Sequence, residues 1–204
     1  MTDTVPTGLI AILRGVHSHE VLDIAEGIVA AGFSAIEVPL NSPDPLASIE
    51  ALVNRFGDEV EIGAGTVLTA RQVRDCKQAG ARIIVAPDTD TEVIQTALGM
   101  GLNPYPGAAT PTEAFAAIKA GATKVKLFPS SAVGIRGMKA WSEVLPAGTE
   151  LFPVGGVGPD NAAEWRNAGA AGLGLGSSLY HRGDRPDDVH DRAEAIASAW
   201  AQAH

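Results

Sequence analysis

Residues 61–87 read EIGAGTVLTARQVRDCKQAGARIIVAP, and their reading decides the fold. The two apolar runs, Glu61 to Leu68 and Arg82 to Pro87, have the length and bounds of buried strands. Thr69 and Gln72 between them have capping-box spacing, in which a hydroxyl and an amide satisfy the free N–H groups that open a helix. Gly80 stands where that helix should stop, because glycine accepts the left-handed backbone that ends one. The stretch therefore spells one strand, helix, strand unit.

The same grammar runs outward in both directions. Apolar runs recur at Leu9 to Leu13, Ala35 to Leu40, Asn103 to Ala108, Lys124 to Pro129, Thr149 to Gly155 and Ala171 to Gly176, which makes eight candidate strands with the first two. Their starts lie about 21 to 26 residues apart, close to the minimum for a strand, two loops and a crossover helix. Val21, Ile24, Ala25, Ile28 and Val29, and again Ala114, Phe115, Ala117 and Ile118, place apolar stripes at helical spacing. Thr89 with Glu92 and Thr110 with Glu113 repeat the capping spacing. Pro111 falls at a first helical position, Asp44-Pro45 and Pro159-Asp160 read as further helix entries, and Gly32 and Gly121 as stops. Eight such units in 204 residues leave no room for a second domain. The expectation is an α/β fold, a single-domain (β/α)8 TIM barrel over residues 1–204, with an open doubly wound sheet as the alternative. In a barrel the chemistry belongs at the C-terminal ends of the strands.

With 46% hydrophobic and 19% charged residues, the chain is too apolar to be a disordered tail. The formal charge is -9 and no block concentrates the 15 Lys and Arg, which argues against nucleic acid or a membrane surface as partner but leaves a small anionic ligand open. The one cysteine, Cys76, cannot make an internal disulfide and reads as a small buried hydrophobe, as in a cytoplasmic protein. Met1 to Thr7 lacks the pattern of an export signal, and no apolar run approaches the roughly 20 residues of a membrane span. His17, His19, His181, His190 and His204 show no ligand spacing, so they read as surface residues and a metal site is not expected. Val189, Ile196 and Trp200 read as the packed side of a terminal helix.

Four charges stand where strands should be apolar: Arg14, Glu37, Lys124 and Lys126. Burying a charge costs several kcal/mol, about as much as only a partner or a function offsets. Glu37 and Lys126 are compatible with a purely structural ion pair. They are equally compatible with chemistry, since a lysine in apolar, partly cationic surroundings keeps a free amine able to attack a ketone. Strand alternation puts Lys124 and Lys126 on one face, but Lys124 falls at the N-terminal mouth and Lys126 nearer the C-terminal one. Lys126 is therefore the expected nucleophile and Glu37 the expected proton carrier. Val154-Gly155-Gly156-Val157 and Gly174-Leu175-Gly176-Ser177-Ser178 end the last two strands with backbone bare of side chains, where barrels bind phosphate. Gly63-Ala64-Gly65-Thr66 offers another close approach, with the Thr66 hydroxyl available to a polar group.

The segments Ile12 to Gly15, Ile36 to Ser42, Gly63 to Val67, Lys126 to Pro129 and Val154 to Val157 together resemble the class I aldolases of 2-keto-3-deoxy-6-phosphosugar acids, from about Leu9 to Tyr180. The resemblance implies a Schiff base on Lys126, proton shuttling by Glu37, and cleavage to pyruvate and glyceraldehyde 3-phosphate with no metal or organic cofactor. It implies that Arg14 and Thr66 hold the carboxylate end of the substrate or the neighbouring hydroxyls, and that the backbone around Gly155, Gly156, Gly176 and Ser177 holds the phosphate. It also implies a homotrimer. Within the family, Leu40-Asn41-Ser42 and Val154, where the gluconate branch typically has Leu-Arg-Thr and a threonine, favour the galactonate epimer. The gluconate epimer, or both, is the alternative. A phosphosugar epimerase or isomerase, or a non-catalytic phosphosugar-binding protein, would share the phosphate loops without needing Lys126.

Overall fold

A computed structural model describes residues 8–202, so the readings made of Met1 to Thr7 and of His204 lie outside the described residues. Strands and helices alternate: β1 (Leu9–Ile12), α1 (Val21–Ala30), β2 (Ala35–Pro39), α2 (Pro45–Phe56), β3 (Glu61–Gly65), α3 (Ala70–Gln78), β4 (Ile83–Val85), α4 (Thr91–Gly99), β5 (Asn103–Tyr105), β6 (Gly107–Ala108), α5 (Pro111–Lys119), β7 (Lys124–Leu127), α6 (Ser130–Ser142), β8 (Glu150–Pro153), α7 (Ala162–Asn167), β9 (Leu173–Leu175) and α8 (Pro186–Ala201). Every strand pairing is parallel. One sheet has the order β5-β4-β3-β2-β1-β9 and the other β6-β7-β8.

The run Asn103 to Ala108 is two short strands, a correction to the single one expected. Pro106 lies between them, and without an N–H it cannot carry the ladder through. The path nonetheless stays continuous, since the Lys126 N–H donates to the Pro106 carbonyl and the Gly107 N–H to that of Asp88. On the other side the two sheets meet where the Ala171 N–H donates to the Leu151 carbonyl and Val154 bridges Gly174.

Alternation buries the strands on both faces, as a parallel sheet under helices requires. Leu9, Ala11, Leu13, Ile36, Val38, Ile84, Val125 and Leu127 pack in the large core shared with the helices. Residues of the opposite phase, Ile10, Ala35, Ile83, Val85, Tyr105 and Phe152, form a second cluster on the other face of the strands. Glu37 follows Ala35 in phase by two residues, so it rises one layer above that apolar floor. The terminal helix packs as expected, with Val189, Ile196 and Trp200 buried. Cys76 is buried, and burial pushes its thiol up to about 12.

The helix entries hold in part. Thr110 and Glu113 form the full capping box, with Pro111 in the first turn. Thr69 accepts from the Gln72 N–H, but the Gln72 amide oxygen reaches back to the Leu68 N–H. Thr89 is not a cap: its hydroxyl donates to the Gly107 carbonyl at 2.8 Å, and the stronger acceptor next to it, the Asp90 carboxylate, takes the Glu92 and Val93 N–H groups. Pro159-Asp160 likewise precedes the helix, whose cap is Asn161. His190 is not a free surface residue, because its ring lies half-buried against Gly27, whose carbonyl is 3.2 Å from Nδ1. Among the described residues no helix is long and apolar enough to cross a membrane.

Candidate active site

Arg14 follows β1, Asn41 follows β2, Thr66 follows β3, and the glycine turns follow β8 and β9, so the chain delivers each of them at a strand's C-terminal end. Arg14, Thr66, Lys126, Val154, Gly155, Gly156, Gly176 and Ser177 line one cavity of about 370 Å³. Of the catalytic and substrate-binding residues expected from the sequence, Glu37 alone is not in its wall. It is only 1% exposed, beneath the cavity, opposite Ile12 on one side and Gly63 on the other.

Lys126 is 6% exposed, between Gly107 and Phe152 in the ladder, with Nζ 4.7 Å from the centre of the Phe128 ring. Among the described residues no carboxylate comes within ion-pair distance of it, so the simple structural ion pair with Glu37 is not formed. Burial pushes the ammonium below the ordinary lysine value; the Glu37 charge pulls it back and the Arg14 guanidinium adds to the fall. Burial raises Glu37 to about 7, against the opposing pull of Lys126 and Arg14. Its Oε2 is buried without a hydrogen-bond partner. The pair thus combines an amine that loses its proton more readily than usual with an acid that exchanges one near neutrality.

Above them, Arg14 donates to Asn41 Oδ1 at 2.6 Å, and both its terminal nitrogens stand 3.5 Å from Thr66 Oγ1. Among the described residues it has no ion pair, which leaves the guanidinium charge available to an anionic ligand. Thr66 holds φ at 55°, in the left-handed region that costs a non-glycine residue about 1 kcal/mol. Such strain is found most often where a side chain must be aimed.

At the far end of the cavity, Gly155 and Gly156 both have positive φ, 94° and 81°, a double turn that side chains would strain. Ser130 secures it, its hydroxyl donating to the Gly155 carbonyl at 2.7 Å. Across the cavity, the chain after β9 enters a helical turn in which the Gly176 carbonyl accepts from Leu179 and Tyr180. Among the described residues, no acceptor takes the N–H groups of Gly156, Gly176 or Ser177. Free N–H groups converging from two turns suit a phosphate.

Sequence reasoning named three residues here only as members of motifs and gave none of their contacts. Asn41, which holds Arg14, carries only the signal of a polar residue just past a strand. Ser178 lines the cavity with a hydroxyl that has no partner. Gly65 lies under the Glu37 carboxylate. No group of three His, Cys, Asp or Glu that could hold a metal ion occurs among the described residues.

A buried lysine lining the cavity at the strands' C-terminal ends, with a buried acid beneath it, fits the class that the family match shows: the chain is an aldolase, a lyase. It belongs to the KDPG and KHG aldolase family, whose profile matches residues 5–193. It is 47% identical over 195 residues to the 2-dehydro-3-deoxy-6-phosphogalactonate aldolase of Escherichia coli K12, covering 96% of this chain and 95% of that one. A solved structure described as native KDPGal superposes with a TM-score of 0.95 at 46% identity, covering 99% of this chain and 98% of the other. A cube-shaped cage designed by fusing symmetric oligomeric domains contains a similar chain, with a TM-score of 0.94 and 47% identity, over 96% of this chain and 72% of that one.

Proposed function

We propose that the chain cleaves 2-dehydro-3-deoxy-6-phosphogalactonate to pyruvate and D-glyceraldehyde 3-phosphate through a Schiff base on Lys126. The observation that carries this reading is the buried lysine of lowered proton affinity whose charge acts on a buried carboxyl group raised to near neutrality. The Lys126 amine adds to the C2 ketone, and Glu37 protonates the departing hydroxyl as the carbinolamine becomes an iminium. The Glu37 carboxylate then takes the C4 hydroxyl proton. The C3–C4 bond breaks, its electrons pass to the iminium, and the aldehyde leaves. The remaining enamine is protonated at C3, and water releases pyruvate and restores the amine. Arg14 and Thr66 bind the carboxylate end, while Gly155, Gly156, Gly176 and Ser177 bind the phosphate.

The galactonate epimer is favoured by similarity to the E. coli enzyme at 47% identity and by the apolar Val154. The two sheets read as arcs of one closed (β/α)8 barrel, a single domain over residues 1–204, which the hydrogen bonds at both seams support. The chain would act as a homotrimer in the cytoplasm. Its likeness to a subunit of a cage built from oligomeric domains and its single unpaired cysteine agree with that.

A coupled assay for pyruvate from both purified epimers tests the substrate, the galactonate epimer being cleaved with the higher kcat/KM. Borohydride reduction with pyruvate tests the chemistry: the covalent mass is expected on Lys126, with or without EDTA. A loss on EDTA treatment that zinc or magnesium restores would replace this mechanism with a metal-dependent one.

A further inference from the structure

We infer that Gly65 is a positioning residue for the proton shuttle, its missing side chain being the space in which the Glu37 carboxylate lies. This rests on the role proposed above for Glu37. In the β2–β3 ladder Glu37 is paired with Gly63, and Pro39, the next residue in phase, with Gly65. The Glu37 side chain leans along the strand toward the C-terminal mouth, over the α-carbon of Gly65. A Cβ built on Gly65 would collide with Glu37, whose Oε2, Cδ and Oε1 are the three atoms nearest to it.

Neither a left-handed backbone nor the three nearest contacts supply another reason for a glycine at this position. Gly65 is not among the residues of positive φ, so its backbone conformation is open to any side chain. Nor is it a packing glycine like Gly63, whose Cβ would run into the carbonyl and side chain of Ile83. The nearest obstacle to a methyl group at Gly65 is the carboxyl group itself. That group has no other anchor on its Oε2, which lacks a hydrogen-bond partner. Its position therefore depends on the room at Gly65, and a methyl group there would displace it by more than about an ångström. Misplacement on that scale costs about a hundredfold in rate.

Deuterium exchange of the pyruvate methyl protons isolates the step, because it needs the imine and a base but no cleavage. Gly65→Ala should still form the borohydride-trapped adduct on prolonged incubation yet exchange deuterium about 10²-fold more slowly, as expected for a misplaced base. In a Glu37→Ala background, adding Gly65→Ala should lower neither the residual exchange nor the Tm, since the group it displaces is gone. Wild-type exchange in Gly65→Ala would overturn the inference. So would a further loss in the Glu37→Ala background, which would make Gly65 a backbone or packing requirement. If Gly65→Ala fails to fold, the double variant decides: folding supports the inference, and failure to fold overturns it. Undiminished exchange in Glu37→Ala alone would instead overturn the role of Glu37, and this inference with it.

Discussion

Lys124 and Lys126 stand two residues apart on one face of β7, yet they occupy opposite environments. Lys124 opens onto the N-terminal mouth, where it donates to the Tyr105 hydroxyl at 2.8 Å and stands 4.9 Å from the centre of that ring. Burial would lower its ammonium, but the hydrogen bond to Tyr105 and the charges of Glu61 and Glu150 outweigh burial and hold it above the ordinary lysine value. Lys126 has the deeper burial, a single carboxylate acting on it and Arg14 pushing the other way, and its ammonium falls. The same side chain on the same strand is thus a fixed cation at one end and a candidate nucleophile at the other. What separates them is the count of compensating charges against the depth of burial.

The largest effect that can break this comparison is at Lys126. Lys126→Met should abolish both cleavage and borohydride trapping, whereas Lys124→Met should leave trapping intact, as read by intact mass; an adduct persisting in the Lys126 variant would void the assignment. Glu37→Gln should still form some imine but turn over about 10² to 10⁴ times more slowly, measured by pyruvate release. An unchanged rate would return Glu37 to a structural role.

The same substitution should act oppositely on stability. Glu37 has its carboxyl raised from 4.5 to about 7 in the folded chain. Between those two pH values the unfolded chain ionises while the folded one holds its proton, so wild-type stability falls as pH rises through that window. Glu37→Gln is free of this loss, and its Tm relative to wild type should climb between pH 4.5 and about 7 and then level off. A Tm difference independent of pH would contradict the shifted carboxyl.

The smallest effect concerns the epimers. Val154→Thr keeps the volume and adds a hydroxyl, worth about 1 kcal/mol if it meets the substrate in the transition state, or roughly a fivefold shift in the kcat/KM ratio toward gluconate. Equal losses on both epimers would make Val154 packing alone and send the search for discrimination to Arg14 and Asn41.

The alternation of strand and helix was legible because strands buried on both faces must be apolar and helices must be stopped, and Gly32, Gly80 and Gly121 all have positive φ. The shift of a cap from Thr89 to Asp90 was less legible, since it turns on competition between adjacent acceptors, whereas the break at Pro106 follows from an N–H that proline lacks. Lys126, Glu37 and Arg14 were legible as charges in apolar strands. Asn41 and Gly65 stood out only within their motifs, because what they touch is set by register between neighbouring strands, and a single chain read in order carries no register. Ser178 gives only a serine in a turn, a signal shared with many residues that do nothing.

The turns proposed to hold the phosphate lie on either side of the seam between β8 and β9, which Val154 and Gly174 bridge. A ligand gripped by both would be a staple as well as a substrate, tying together two segments that the backbone joins sparingly at that height. Occupancy then draws on the local opening equilibrium of the seam: amides from Val154 to Val157 and from Gly174 to Ser178 should exchange with solvent more slowly when substrate or product is bound, while those at the N-terminal mouth keep their pace.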